Sequence, residues 1–119
     1  MKIKELIWIS SSKKDLTNLP EEIQDSIGYG LYIAQTGKQC KNSKALVGFG
    51  GAGVIEIIVT DNAGTYRAVY TITMPSAIFV LHVFQKKSKH GIATPKQEIA
   101  LIKSRLKLAQ EIYKERFKI

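Results

Sequence analysis

The chain has 119 residues, 45% of them hydrophobic, enough for a single domain over 1–119 with one small core. Its net charge of +8 is lopsided: residues 1–60 hold seven lysines against six acids, and residues 61–119 hold eleven Lys and Arg against four. A one-sided positive field draws polyanions or an acidic partner, and no apolar run approaches the roughly 20 residues that cross a bilayer, which excludes a membrane-spanning chain and points to a soluble cytoplasmic protein.

In chain order, Leu6-Ile-Trp-Ile9 reads as a short strand, and the segment before it lacks the small-residue cleavage site of a signal peptide. Ser12-Lys-Lys-Asp15 has capping-box spacing and predicts a brief helix ending near Leu19. Pro20 suits the first turn of a second helix, whose dipole Glu21 and Glu22 favour. Ile23, Ile27, Leu31 and Ala34 make its apolar face, and Gly37 is a natural stop. Cys40, alone and among Lys38, Lys41 and Lys44, forms no intramolecular disulfide and suits a reducing compartment.

Three strands follow. Val54–Thr60 is almost wholly apolar, Asp61-Asn-Ala-Gly64 turns it back, and Thr65–Thr73 alternates Tyr66, Ala68, Tyr70 and Ile72 on one face with Arg67, Val69 and Thr71 on the other. The third runs from Ala77 to Phe84. A last helix begins with Thr94 as cap, Pro95 at the first position and Gln97 completing a capping box, and extends to about residue 117 with Ile99, Ile102, Leu106, Ala109 and Tyr113 on one stripe. The fold class is α+β: a small antiparallel sheet in the order strand, two helices, three strands, helix.

Gly48-Phe-Gly50-Gly-Ala-Gly53 matches G-x-G-x-x-G letter for letter, but a dinucleotide site needs a strand before it and a helix after it. Here a strand follows, so the glycines read as a flexible loop. His82, His90 and Cys40 show no short spacing that closes a zinc site, and neither metal nor cofactor is expected. His82 lies inside an apolar strand and reads as a sheet-face residue. His90 sits in a polar loop with Lys86, Lys87 and Lys89, where an imidazole can act as acid or base. Arg67, mid-strand, admits two readings: a cross-strand pair with Glu56, or a phosphate clamp using the fixed fork of guanidinium donors. Arg67, Lys86, Lys87, Lys89 and His90 converge if the last two strands pair. Lys44, Lys96 and Arg105 add cations that would suit an RNA backbone.

Leu19-Pro-Glu-Glu-Ile23, Gly50-Gly-Ala-Gly-Val-Ile-Glu56, Tyr66-Arg-Ala-Val-Tyr70, Leu81-His-Val-Phe-Gln-Lys-Lys-Ser88 and Thr94-Pro-Lys-Gln-Glu-Ile99 appear in that order. On these pieces the chain resembles the RelE/ParE toxin superfamily, in particular its HigB-like phage-derived branch. The resemblance implies the toxin of a type II toxin–antitoxin pair, an endoribonuclease that cuts mRNA in the ribosomal A site. It implies that Arg67 holds the scissile phosphate, that Lys86 and Lys87 meet mRNA or ribosomal RNA, with Lys87 in the catalytic set, and that His90 donates or accepts a proton. It also implies a small helix-turn-helix antitoxin over the basic face. Ile58 departs from relatives that often carry arginine there. ParE-type members, which bind DNA gyrase without catalysis, give the alternative; a plain nucleic-acid-binding domain is a third.

Overall fold

The structure is a computed structural model and describes residues 2–51, 53–86 and 94–117. Among them the elements run β1 (Glu5–Trp8), α1 (Ser12–Thr17), α2 (Glu21–Gln35), β2 (Ser43–Ala45), β3 (Val54–Asp61), β4 (Gly64–Thr71), β5 (Ala77–Lys86) and α3 (Lys96–Phe117). The strands form one sheet in the order β1-β5-β4-β3-β2. The α+β class and the order of the expected elements stand. Two features lie beyond the sequence reading: the edge strand β2, and the parallel pairing of β1 with β5 in an otherwise antiparallel sheet. The chain can make that parallel pair because α1 and α2 carry it across one sheet face between strands.

Alternation along the strands separates two cores. Ile55, Ile57, Tyr66, Ala68, Tyr70, Val80 and Val83 pack beneath α1 and α2 through Leu16, Ile23, Ile27, Leu31 and Ala34. On the other face Val54, Val69, Phe79 and Leu81 meet Ile102, Ala109 and Tyr113 of α3. The sheet is therefore a middle layer, covered on both sides. α2 can lie close because Gly30 lacks a side chain: a Cβ there would stand 2.9 Å from Ile57 Cδ1 and 3.1 Å from Cys40 Sγ.

The helix starts differ in detail from the capping expectations. Ser11, one residue early, is the α1 cap position and its hydroxyl donates to Asp15 (2.8 Å), while the buried Ser12 hydroxyl donates to the Val80 carbonyl (3.1 Å). At α3 the Pro95 carbonyl accepts the Ile99 N–H (3.0 Å), so the helix opens one residue after the expected cap Thr94, whose hydroxyl is used elsewhere. A bulge between β4 and β5 pairs Val69 with His82 but Tyr70 with Val80. The extra residue brings both Leu81 and His82 to the α3 side.

Tyr66 and Tyr70 lie on the α1/α2 face, away from Arg67. Burial, with the nearby Cys40 adding to it, pushes the Tyr70 phenol up to about 12. The fold thus prefers the protonated phenol. Its stabilising contribution is whole below pH ~10, the unfolded value, and is lost as pH climbs from there through about 12. Tyrosinate absorbance should show a late step for Tyr70 in the folded chain, beside the delay that burial and Asp61 give Tyr66, and ordinary ionisation in the denatured chain. Tyr70→Phe should remove that late step and flatten the alkaline fall in stability; an unaltered titration curve would contradict the assignment.

Candidate functional site

The turn between β3 and β4 fixes which polar side chains meet. β3 and β4 pair from Val54↔Thr71 to Asp61↔Gly64, with the Ala63 N–H donating to Asp61 Oδ1 (2.8 Å) in the turn. That register sets Ile58 opposite Arg67 and Glu56 opposite Val69. Glu56 and Arg67 are diagonal neighbours on the α3 side, within reach of long side chains.

They meet. Arg67 Nη1 donates to Glu56 Oε1 (2.9 Å) and to Thr94 Oγ1 (3.2 Å), and Thr94 Oγ1 donates to Glu56 Oε2 (3.1 Å). Glu56 is 1% exposed and Arg67 2%. The Lys44 ammonium, on the neighbouring edge strand and largely in solvent, stands 3.8 Å from Glu56 Oε1. One carboxylate thus faces two cations: the Arg67 guanidinium inside the buried seam, where charge acts over longer range than in water, and the Lys44 ammonium at its solvent edge. The cross-strand pair of the sequence reading is present.

Lys86 ends β5, two residues past Phe84, which pairs with Arg67, so Lys86 and Arg67 share a face. Lys44 joins them across β3. Lys96 is exposed in the first turn of α3. Lys87, Lys89 and His90 lie outside the described residues.

Arg105 is held by the protein itself. Its Nη1 donates to the Leu81 carbonyl (2.9 Å) and approaches His82 Nδ1 (3.4 Å), and its Nη2 donates to Ser11 Oγ (3.3 Å). It fastens α3 to β5 and to the start of α1. His82 is the sheet-face residue expected: 7% exposed, stacked on Phe84 with ring centroids 4.7 Å apart, its Nε2 in contact with Glu98 Oε2.

Sequence reading missed Thr94 and Glu98 as members of these polar clusters. The Thr-Pro pair was visible, but its spacing to Gln97 also fits a helix cap, and only the docking of α3 on the sheet distinguishes the two uses.

Gly48, Gly50, Gly51 and Gly53 all have positive φ in the loop before β3, and no helix follows them. They lie in a loop that leads into a strand, the context that argued against a dinucleotide site. A cleft of about 440 Å³ between Thr73–Pro75 and Gln110–Lys114 lies toward the other end of α3. Among the described residues no cluster of His, Cys, Asp or Glu is placed to hold a metal ion, and no helix is long and apolar enough to cross a membrane.

Residues 14–107 match the family model described as "Phage derived protein Gp49-like (DUF891)". The fold is similar to that of a free-state mutant of Escherichia coli toxin RelE, at 20% identity and TM-score 0.54, covering 71% of this chain and 84% of that one. A second similar structure is the toxin–antitoxin complex RelBE2 from Mycobacterium tuberculosis, at 18% identity and TM-score 0.49, covering 74% of this chain and 97% of that one. At 20% identity the likeness to the RelE toxin is one of fold. No curated protein sequence matches significantly.

Proposed function

The chain belongs to the phage-derived Gp49-like family, and from that premise we propose that it is the toxin of a toxin–antitoxin pair, an endoribonuclease that cuts mRNA on the ribosome. The observation that supports this reading best is the buried Glu56–Arg67–Thr94 cluster beside Lys44 and Lys86. A buried ion pair is often no better for stability than two apolar side chains of the same volume. A sheet that keeps one where its cations gather has a use for it besides packing.

Metal-free cleavage of RNA needs a base for the ribose 2′-hydroxyl, cations for the charge developing on phosphorus, and an acid for the leaving 5′-oxygen. In this reading Arg67 answers the phosphate charge. Lys86 and Lys87, with Lys89, Lys44 and Lys96, draw in the backbone, and His90 moves a proton. At 2% exposure Arg67 is a wall of the site rather than a projecting finger. A helix-turn-helix antitoxin over the basic face is the partner that would silence it.

The test is primer extension on cellular mRNA after brief induction of the chain, with translation halted in a parallel culture. Discrete cuts within translated frames, absent from the halted culture, are expected. Growth arrest with intact mRNA would overturn the nuclease and point to a protein target such as DNA gyrase.

A further inference from the structure

We infer that the cleft between Thr73–Pro75 and Gln110–Lys114 binds an unstacked nucleotide of an RNA strand, whose backbone continues along the lysines of α3; RNA as the ligand class rests on the nuclease reading. The cleft is separate from the Glu56–Arg67–Thr94 cluster, which meets the start of α3, whereas Gln110–Lys114 lie in its C-terminal half. Its volume, about 440 Å³, falls in the range of small-ligand pockets.

The lining joins a fixed apolar floor to a polar rim. Met74 and Tyr113 are buried, with Pro75 beside them. The Tyr113 hydroxyl accepts the Ser76 N–H (3.2 Å) and its ring meets Phe79 edge-on, so this floor is formed before a ligand arrives. The wall carrying Thr73 is held too. The Ile72 N–H donates to the Gly53 carbonyl (2.9 Å), and a Cβ at Gly53 would stand 2.2 Å from Thr73 Cγ2. On the rim Thr73, Gln110 and Lys114 are exposed. An apolar floor takes the face of a base, while a carboxamide offers both a donor and an acceptor to its edge.

Charge points the same way. Lys96, Lys103, Lys107 and Lys114 fall at i, i+7, i+11 and i+18, spacings that return to one face of a helix. They span about 27 Å of α3. All four are exposed, and among the described residues none forms an ion pair. Lys103 Nζ lies over the Phe49 ring, 5.9 Å from its centroid. Beyond Pro75, Lys2 and Lys4 line the neighbouring hollow. Among the described residues the cleft lining holds no carboxylate. Helical spacing sets Glu111 and Glu115 on the flank away from Gln110 and Tyr113, together with the exposed Leu101 and Leu108. The lysine face therefore lacks the large apolar anchors that a protein partner would grip. One apolar slot at the end of a line of cations suits a nucleic-acid strand, with stacking for a base and charge for its backbone.

The experiment titrates the full chain into an RNA hairpin carrying one bulged 2-aminopurine and into its fully paired counterpart. The wild type should bind the bulged hairpin about 5- to 100-fold more tightly, the range for one stacked base, and change its fluorescence. Gln110→Ala should lose that preference and keep its affinity for the paired hairpin. Lys103→Ala and Lys107→Ala should weaken both RNAs alike and each lower the salt slope by about 1. Thermal melting confirms that the variants fold. Equal affinity of the wild type for the two hairpins would overturn the inference, as would a preference that Gln110→Ala and Lys114→Ala both leave intact. Poly-glutamate that shifts the Thr73 and Gln110 amide signals in NMR, where the bulged RNA does not, would give the cleft to an acidic protein instead. If the chain prefers the bulged hairpin in this way but cuts no mRNA on induction, the nuclease reading fails and the cleft remains an RNA site.

Discussion

Arg67→Ala is expected to lower folding stability by about 3–5 kcal/mol, because it strands a buried carboxylate. Among the described residues Glu56, at 1% exposure, would keep the Thr94 hydroxyl and the Lys44 ammonium 3.8 Å away. Against a total of on the order of 6–18 kcal/mol for a chain of this length, such a loss leaves much of the protein near its unfolding threshold. Loss of growth arrest in that variant would therefore say little about chemistry. The informative protein is the double substitution Glu56→Leu with Arg67→Met. Replacing both partners of a buried pair by apolar residues of similar volume is commonly neutral or stabilising by about 1–4 kcal/mol. Urea denaturation should show the single variant much weakened and the double one restored. If Arg67 carries the phosphate charge, the double variant should still lose about 10²–10³-fold in mRNA cleavage, the range for removing one preorganised electrostatic group. A stable double variant that cuts mRNA at the wild-type rate would remove Arg67 from the site.

The Glu56–Arg67 pair could be read from the sequence because both ends of the inference are local. Asp61-Asn-Ala-Gly64 fixes a hairpin register, and period-two alternation then sets Glu56 and Arg67 on one face. Other members of the site depend on how a distant helix docks. Thr94, Glu98 and Arg105 share a segment with the correct apolar stripe. That stripe says which side of α3 is buried, but it does not say which sheet residue each polar side chain meets. Arg105, counted among RNA-binding cations, instead spends its donors on Leu81 and Ser11. The parallel β1–β5 pairing escaped for the same reason: Glu5 and Ala77 are partners across most of the chain, and nothing near either announces the other. β2 is only three residues long, with no apolar alternation to mark it.

Phe79→Ala is expected to cost about 3–5 kcal/mol, the usual range for emptying a buried aromatic site, and to loosen α3 first. Phe79 is fully buried and meets Tyr113 edge-on, with ring centroids 6.3 Å apart. Tyr113 stacks on Phe117 at 4.6 Å, and its hydroxyl accepts the Ser76 N–H at 3.2 Å. These contacts dock the C-terminal half of α3 by apolar area. Its N-terminal half adds polar contacts to the apolar packing of Ile99 and Ile102, through Thr94 and through Glu98 and Arg105 around His82. Hydrogen bonds weaken steeply with misalignment, so these polar contacts depend on the apolar packing to hold the helix at the right height over the sheet. Native-state hydrogen exchange should show α3 amides in Phe79→Ala opening at lower free energy than those of α2, which packs on the opposite face. Equal loss in both helices would mean that α3 has no separate docking. Differential loss would tie the Glu56–Arg67–Thr94 contacts to the α3 core, since Thr94 stands at the start of the helix that Phe79 holds down.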